Sequence, residues 1–137
     1  MDFWSRQDWL KMQPDDLGKS DCVFCNPQNT PLLKEFSHWY ICKNKYPYWG
    51  NKDNLLAIPK KHTKFTHELS VEQWSEMWKI ETFMKDYYWE NSYFSFIRQS
   101  CTGRSLEHLH YHYLPGFISN AHVEHILQNQ SNTLWKI

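Results

Sequence analysis

Residues His108 to Leu114 alternate with a period of two. His108, His110 and His112 share one parity, and Leu109, Tyr111 and Tyr113 share the other. Successive side chains of a strand point to opposite faces, and aromatic residues such as Tyr111 and Tyr113 favour strands. The run therefore predicts a strand with three imidazoles in a row and apolar partners turned the other way. Such a row can bind metal, attack a phosphorus or carbonyl atom, or shuttle protons. A wet strand face would instead mix Thr, Lys, Glu and Ser. One ion shared by all three histidines is disfavoured, because the outer pair would lie about 13 Å apart along a strand.

The rest of the chain supplies partners for that strand. Tyr93–Arg98 reads as a strand, and the polar turn Gln99–Arg104 returns it to the histidines as a hairpin. Arg104 and Ser105 sit where the turn meets them. Ser70-Val71-Glu72-Gln73 fits a capping box, so a helix is expected over about 71–89. Trp74, Met77, Ile80, Met84 and Tyr87 recur at three or four as its buried stripe. Phe36–Cys42 and Leu55–Ile58 read as further strands, joined by a long loop carrying Pro47 and Gly50. Pro59 ends the second strand, and Lys60-Lys61-His62 follows. A short closing helix is expected over 121–130. Residues 1–20 carry a short amphipathic pattern and are expected to be peripheral to one domain over 21–137.

A chain of 137 residues is long enough to bury a core without disulfides. Its 15 basic and 15 acidic residues balance, which argues against a nucleic-acid partner. No apolar run is long enough to span a membrane, and no leader pattern is present. With four cysteines and no export signal, a reduced cytoplasmic setting is expected. Cys22-Val23-Phe24-Cys25 leaves three readings open: two thiolates converging on a metal, a redox pair, or two buried thiols. Asn26-Pro27 does not start the helix that a thioredoxin-like pair would need. A closed zinc site requires two further ligands from elsewhere. Cys42 and Cys101 are expected to be packing residues.

His108-Leu109-His110-Tyr111-His112-Tyr113-Leu114 resembles the signature of the histidine triad (HIT) superfamily, His-φ-His-φ-His-φ-φ with φ apolar. Three other segments agree in order: Cys22–Cys25 resembles the opening of many bacterial members, Asn44-Lys45-Tyr46-Pro47 their Asn/Asp-x-x-Pro loop, and Leu55–His62 the strand ending in Pro-Lys-x-His. The match spans residues 21–116.

The resemblance implies an α+β domain with a five-stranded antiparallel sheet, one long helix and short terminal helices. It also implies a homodimer whose sheets join. It further implies hydrolysis or transfer at the α-phosphorus of a dinucleoside polyphosphate, nucleoside phosphoramidate or similar nucleotide conjugate. In that scheme His110 is the nucleophile, oriented by a backbone carbonyl. His112 contacts the phosphate oxygens, Ser105 lies near the leaving-group atom, Asn44 contacts the ribose and Phe24 the base. Cys22, Cys25, His62 and His108 would complete a structural Cys₂His₂ zinc site. The hairpin turn after Tyr93–Arg98 has one glycine, Gly103, where many members have several, so Arg98, Gln99 and Arg104 are expected to take over phosphate contacts. The alternative reading is a zinc-stapled binding module with little turnover.

Overall fold

The computed structural model describes residues 22–26, 31–99 and 108–130. The expectations for residues 1–20, Cys101, Gly103, Arg104 and Ser105 lie outside them. Five strands form one antiparallel sheet: β1 (Leu32–Glu35), β2 (Trp39–Lys43), β3 (Leu55–Pro59), β4 (Tyr93–Ile97) and β5 (Tyr111–Pro115), in the spatial order β1-β2-β3-β5-β4. β5 pairs with both β3 and β4, so β3 and β4 run parallel with β5 between them. A parallel pair needs a crossover, and here it is helical: α1 (Val71–Ser75) and α2 (Met77–Tyr88). A third helix, α3 (Asn120–Gln128), follows β5 and is capped by Ser119. This is the α+β architecture expected. β1 was not anticipated, and β2 starts at Trp39 rather than Phe36, because Ser37 and His38 make the turn between the two strands.

Strand alternation divides the side chains between two faces. Trp39, Ile41, Leu55, Ala57 and Tyr113 join Ile80, Met84 and Tyr88 in the main core under the helix. Tyr40, Cys42, Leu56 and Ile58 form a smaller cluster on the opposite face, with Phe24 packed on it. His112 and Leu114 share the parity opposite to Tyr113 and so turn toward that second face.

The long helix ends at Tyr88 and is broken at Glu76. The break has a physical cause. Trp39 is fully buried, and its indole N–H donates to the Gln73 carbonyl at 2.8 Å. A side chain inserted into the i→i−4 ladder bends a helix. Glu76, itself buried, accepts backbone N–H bonds from Ser37 (3.1 Å) and His38 (2.7 Å), tying the helix to the β1–β2 turn. The first turn keeps the phase of the helix after it, with Gln73, Glu76, Ile80 and Met84 recurring at three or four on the buried side. Gln73 is buried there, and Trp74 is 43% exposed rather than part of the stripe. Ile80 and Met84 are buried as expected, with Met77 and Tyr87 packed at the margin.

Candidate functional site

The Cys22–Cys25 turn is closed by a bond from Cys25 N–H to the Cys22 carbonyl (3.1 Å), and the Asn26 amide donates to the same carbonyl at 2.9 Å. Tyr40 reaches out from β2 and donates to the Phe24 carbonyl, which holds the turn against the second face of the sheet. His62 arrives from the segment after β3. His108 arrives from just ahead of β5, not from within it, because β5 begins at Tyr111.

These three segments bring Cys22, Cys25, His62 and His108 together, with ligand atoms all within 4.8 Å of one another. His108 Nδ1 lies 3.4 Å from the sulfur of Cys22 and 3.4 Å from that of Cys25. His62 Nδ1 lies 3.3 Å from Cys25 Sγ. A tetrahedral zinc ion with ordinary Zn–S and Zn–N bonds would separate S and N ligands by about 3.5 Å, so this donor set fits one. His108 Nε2 donates to the Pro59 carbonyl at 2.7 Å. That bond selects the tautomer with its lone pair on Nδ1, toward the thiols. Burial holds the His108 pKa down, to about 4, so the ring is neutral near pH 7. Cys22, Cys25, His62 and His108 thus form a candidate zinc site. With four protein ligands it would be closed, supplying a cross-link between the knuckle and the histidine strand rather than a reactive water.

The other two histidines lie next to it. His110 is half-buried, and its Nδ1 donates to the His108 carbonyl at 2.8 Å. The tautomer this bond selects has its basic lone pair on Nε2. Its ring centroid is 5.0 Å from that of Phe24 and 4.8 Å from that of His112. His112 is 2% exposed and stacks on Phe96 at 4.7 Å and 9°, with Tyr48 beside it at 5.4 Å. The rings of Phe24, His110, His112 and Phe96 therefore follow one another in a row. The three histidines do not act as one face of a single strand: His108 turns to the cysteines, and His110 and His112 stay side by side.

Asn44 is buried at the end of β2. Its amide donates to Asn54 Oδ1 at 2.9 Å, and its own oxygen accepts the Tyr46 N–H at 3.0 Å. Arg98 donates to the Tyr48 hydroxyl at 3.0 Å. Gln99 faces Thr66, whose N–H and hydroxyl both donate to its Oε1, at 3.0 and 2.7 Å.

Two residues of the site were not anticipated. Tyr48 covers His112, and Asn54, fully buried, holds Asn44 and reaches the Tyr113 carbonyl at 3.2 Å. Only the fold reveals them, because a tyrosine and an asparagine in a long polar loop carry no spacing signal.

No family model matches this sequence, and no curated protein does. Solved structures do share its fold, which is that of histidine triad proteins. A hypothetical protein from Leishmania major is 16% identical over 88% of this chain and 100% of its own, with a TM-score of 0.63. A histidine triad nucleotide-binding protein from Candida albicans is 15% identical over 83% and 99%, with a TM-score of 0.59. A Zn-bound histidine triad family protein from Mycobacterium smegmatis is 19% identical over 75% and 80%, with a TM-score of 0.58. At these identities the likeness is one of fold.

Proposed function

We propose that this protein is a nucleotide hydrolase or nucleotidyltransferase that works through His110. The observation that carries the reading is the 2.8 Å bond from His110 Nδ1 to the His108 carbonyl. It orients the ring, directs the nucleophilic lone pair to Nε2, and stabilises the positive charge the ring acquires on attack. Nε2 attacks the α-phosphorus of a nucleotide conjugate. An N–P bond forms as the bond to the leaving group breaks, and the leaving group departs with that electron pair and takes up a proton. Ser105 hydrogen-bonds the leaving-group atom. Water then attacks phosphorus and gives up a proton, the N–P electrons return to Nε2, and the nucleoside monophosphate leaves. Inorganic phosphate in place of water gives the diphosphate. His112 stabilises the phosphate oxygens, and Phe24 stacks on the base, a contact that tolerates any base. Asn44 contacts the ribose, and Arg98, Gln99 and Arg104 assist at the phosphates. The chain works as a homodimer in a reduced cytoplasm.

The test is product analysis of the wild type and His110→Ala with adenosine phosphoramidate and with diadenosine tetraphosphate, each with and without phosphate. Nucleotide product from the wild type alone is expected. Equal product from His110→Ala would refute the assignment. A binding module with little turnover is the second reading, favoured by the burial of His112 under Tyr48 and Phe96. It predicts nucleotide binding with no product in any of these mixtures.

A further inference from the structure

The bond from Cys25 N–H to the Cys22 carbonyl at 3.1 Å makes these cysteines the first and last residues of a β-turn, whose geometry brings their Cα atoms within about 7 Å. A disulfide needs Cα atoms about 4.4–6.8 Å apart. Both sulfurs face His108 Nδ1, 3.4 Å from each, and they lie no more than 4.8 Å from one another. The backbone is therefore already shaped for a bond between them. Exposure is unequal: Cys22 is 0% exposed, whereas Cys25 is partly open to solvent. Between them in the chain sits Phe24, whose ring centroid is 5.0 Å from that of His110 and 5.9 Å from that of His108. Movement of the sulfurs is thus carried directly to the neighbour of His110. Cys42, the other described cysteine, is sealed in the second-face cluster.

We propose that Cys22 and Cys25 form an oxidative modification site: hydrogen peroxide joins them as a disulfide, zinc is lost, and Phe24 is released from its place beside His110. The Cys25 thiolate, the more open of the two, attacks a peroxide oxygen. An S–O bond forms as the O–O bond breaks, and the departing hydroxide takes up a proton and leaves as water. Cys22 sulfur then attacks Cys25 sulfur. The S–S bond forms, the S–O bond breaks, and a second hydroxide takes up a proton and leaves as water. Two electrons have passed from the sulfur pair to the peroxide. The metal ligand is a thiolate, not a disulfide sulfur, and His62 and His108 alone fill two of the four positions of a closed zinc site. The cross-link between the turn and the histidine strand is then gone. The sulfurs also close to about 2 Å, which draws the turn away from His108. The consequence for ligand binding rests on the nucleotide reading above, in which Phe24 stacks on the base.

The test starts from the full chain, reduced and loaded with zinc. Hydrogen peroxide is added in steps. Released zinc is read with a chromogenic chelator, and the peptide spanning Cys22 and Cys25 is read by mass spectrometry after thiol blocking. About one zinc released per disulfide within that peptide is expected, reversed by dithiothreitol with added zinc, and Cys42→Ser/Cys101→Ser protein should respond in the same way. Zinc retained through peroxide treatment, irreversible oxygen adducts on Cys25 in place of the disulfide, or a disulfide to Cys42 or Cys101 would overturn the proposal. Protein that takes up no zinc would overturn it together with the metal site. Calorimetric titration with AMP then compares the reduced and oxidised forms. The oxidised form is expected to bind at least about fivefold more weakly, and Phe24→Ala should bind weakly in both. Equal affinity of the two wild-type forms would overturn the release of Phe24. Failure of the reduced wild type to bind AMP would overturn the nucleotide reading, while zinc release and peptide mass still decide the disulfide.

Discussion

Asn54→Ala tests how the loop after β2 supports the site. Asn54 is 0% exposed and bonds in two directions. Its oxygen accepts from the Asn44 amide at 2.9 Å and, more weakly, from Tyr48 N–H at 3.4 Å. Its amide donates to the Tyr113 carbonyl at 3.2 Å and the Leu55 carbonyl at 3.3 Å. Counting the two closer bonds to neighbours distant in sequence at ~1 kcal/mol each, and a further ~1 kcal/mol for stranding the buried Asn44 amide, the loss is ~3 kcal/mol. For a domain of this length that corresponds to a fall in melting temperature of about 10 °C. Thermal unfolding followed by circular dichroism reads it directly. A double-mutant cycle with Asn44→Ala should return a coupling of ~1 kcal/mol, because each substitution removes the same bond. A melting temperature within about 2 °C of wild type would refute this reasoning, as would strict additivity of the two substitutions.

Three further outcomes are expected. Elemental analysis of protein purified without added chelator should find about one zinc per chain; Cys25→Ser and His62→Ala should lose it and melt at lower temperature, whereas His110→Ala should retain it. Glu76→Ala should cost ~3 kcal/mol in urea unfolding, because two backbone N–H groups lose a carboxylate acceptor, and Glu76→Gln should recover part of that loss. Trp39→Phe should cost ~1 kcal/mol or more through the lost bond to the Gln73 carbonyl; an unchanged midpoint would show that the indole does not cause the helix break.

Much of this molecule is legible in local patterns. The alternation around His110, the capping box at Ser70 and the apolar run Leu55–Ile58 each specify an element by its own period, since side-chain direction on a strand or helix follows from backbone geometry. The metal ligands were legible for a different reason. Cys22 and Cys25 are close in sequence, and the motif order supplied His62 and His108. What failed was phase and extent. The stripe placed Trp74 inside because an aromatic residue was taken for core, whereas Gln73, one position earlier, holds the phase of Ile80 and Met84 and is the buried residue.

The sequence by itself therefore determined every element of the sheet except β1, the order of those elements, and which residue types carry the chemistry. The tertiary structure decided what each side chain faces. It sent His108 to the cysteines while His110 turned its Nδ1 back to a carbonyl. It covered His112 with Tyr48 and Phe96, and it buried Asn54 and Glu76 as supports. These are contacts between residues far apart along the chain. Their free energy depends on burial and bond geometry that appear only once the strands are in register, so no local period can announce them.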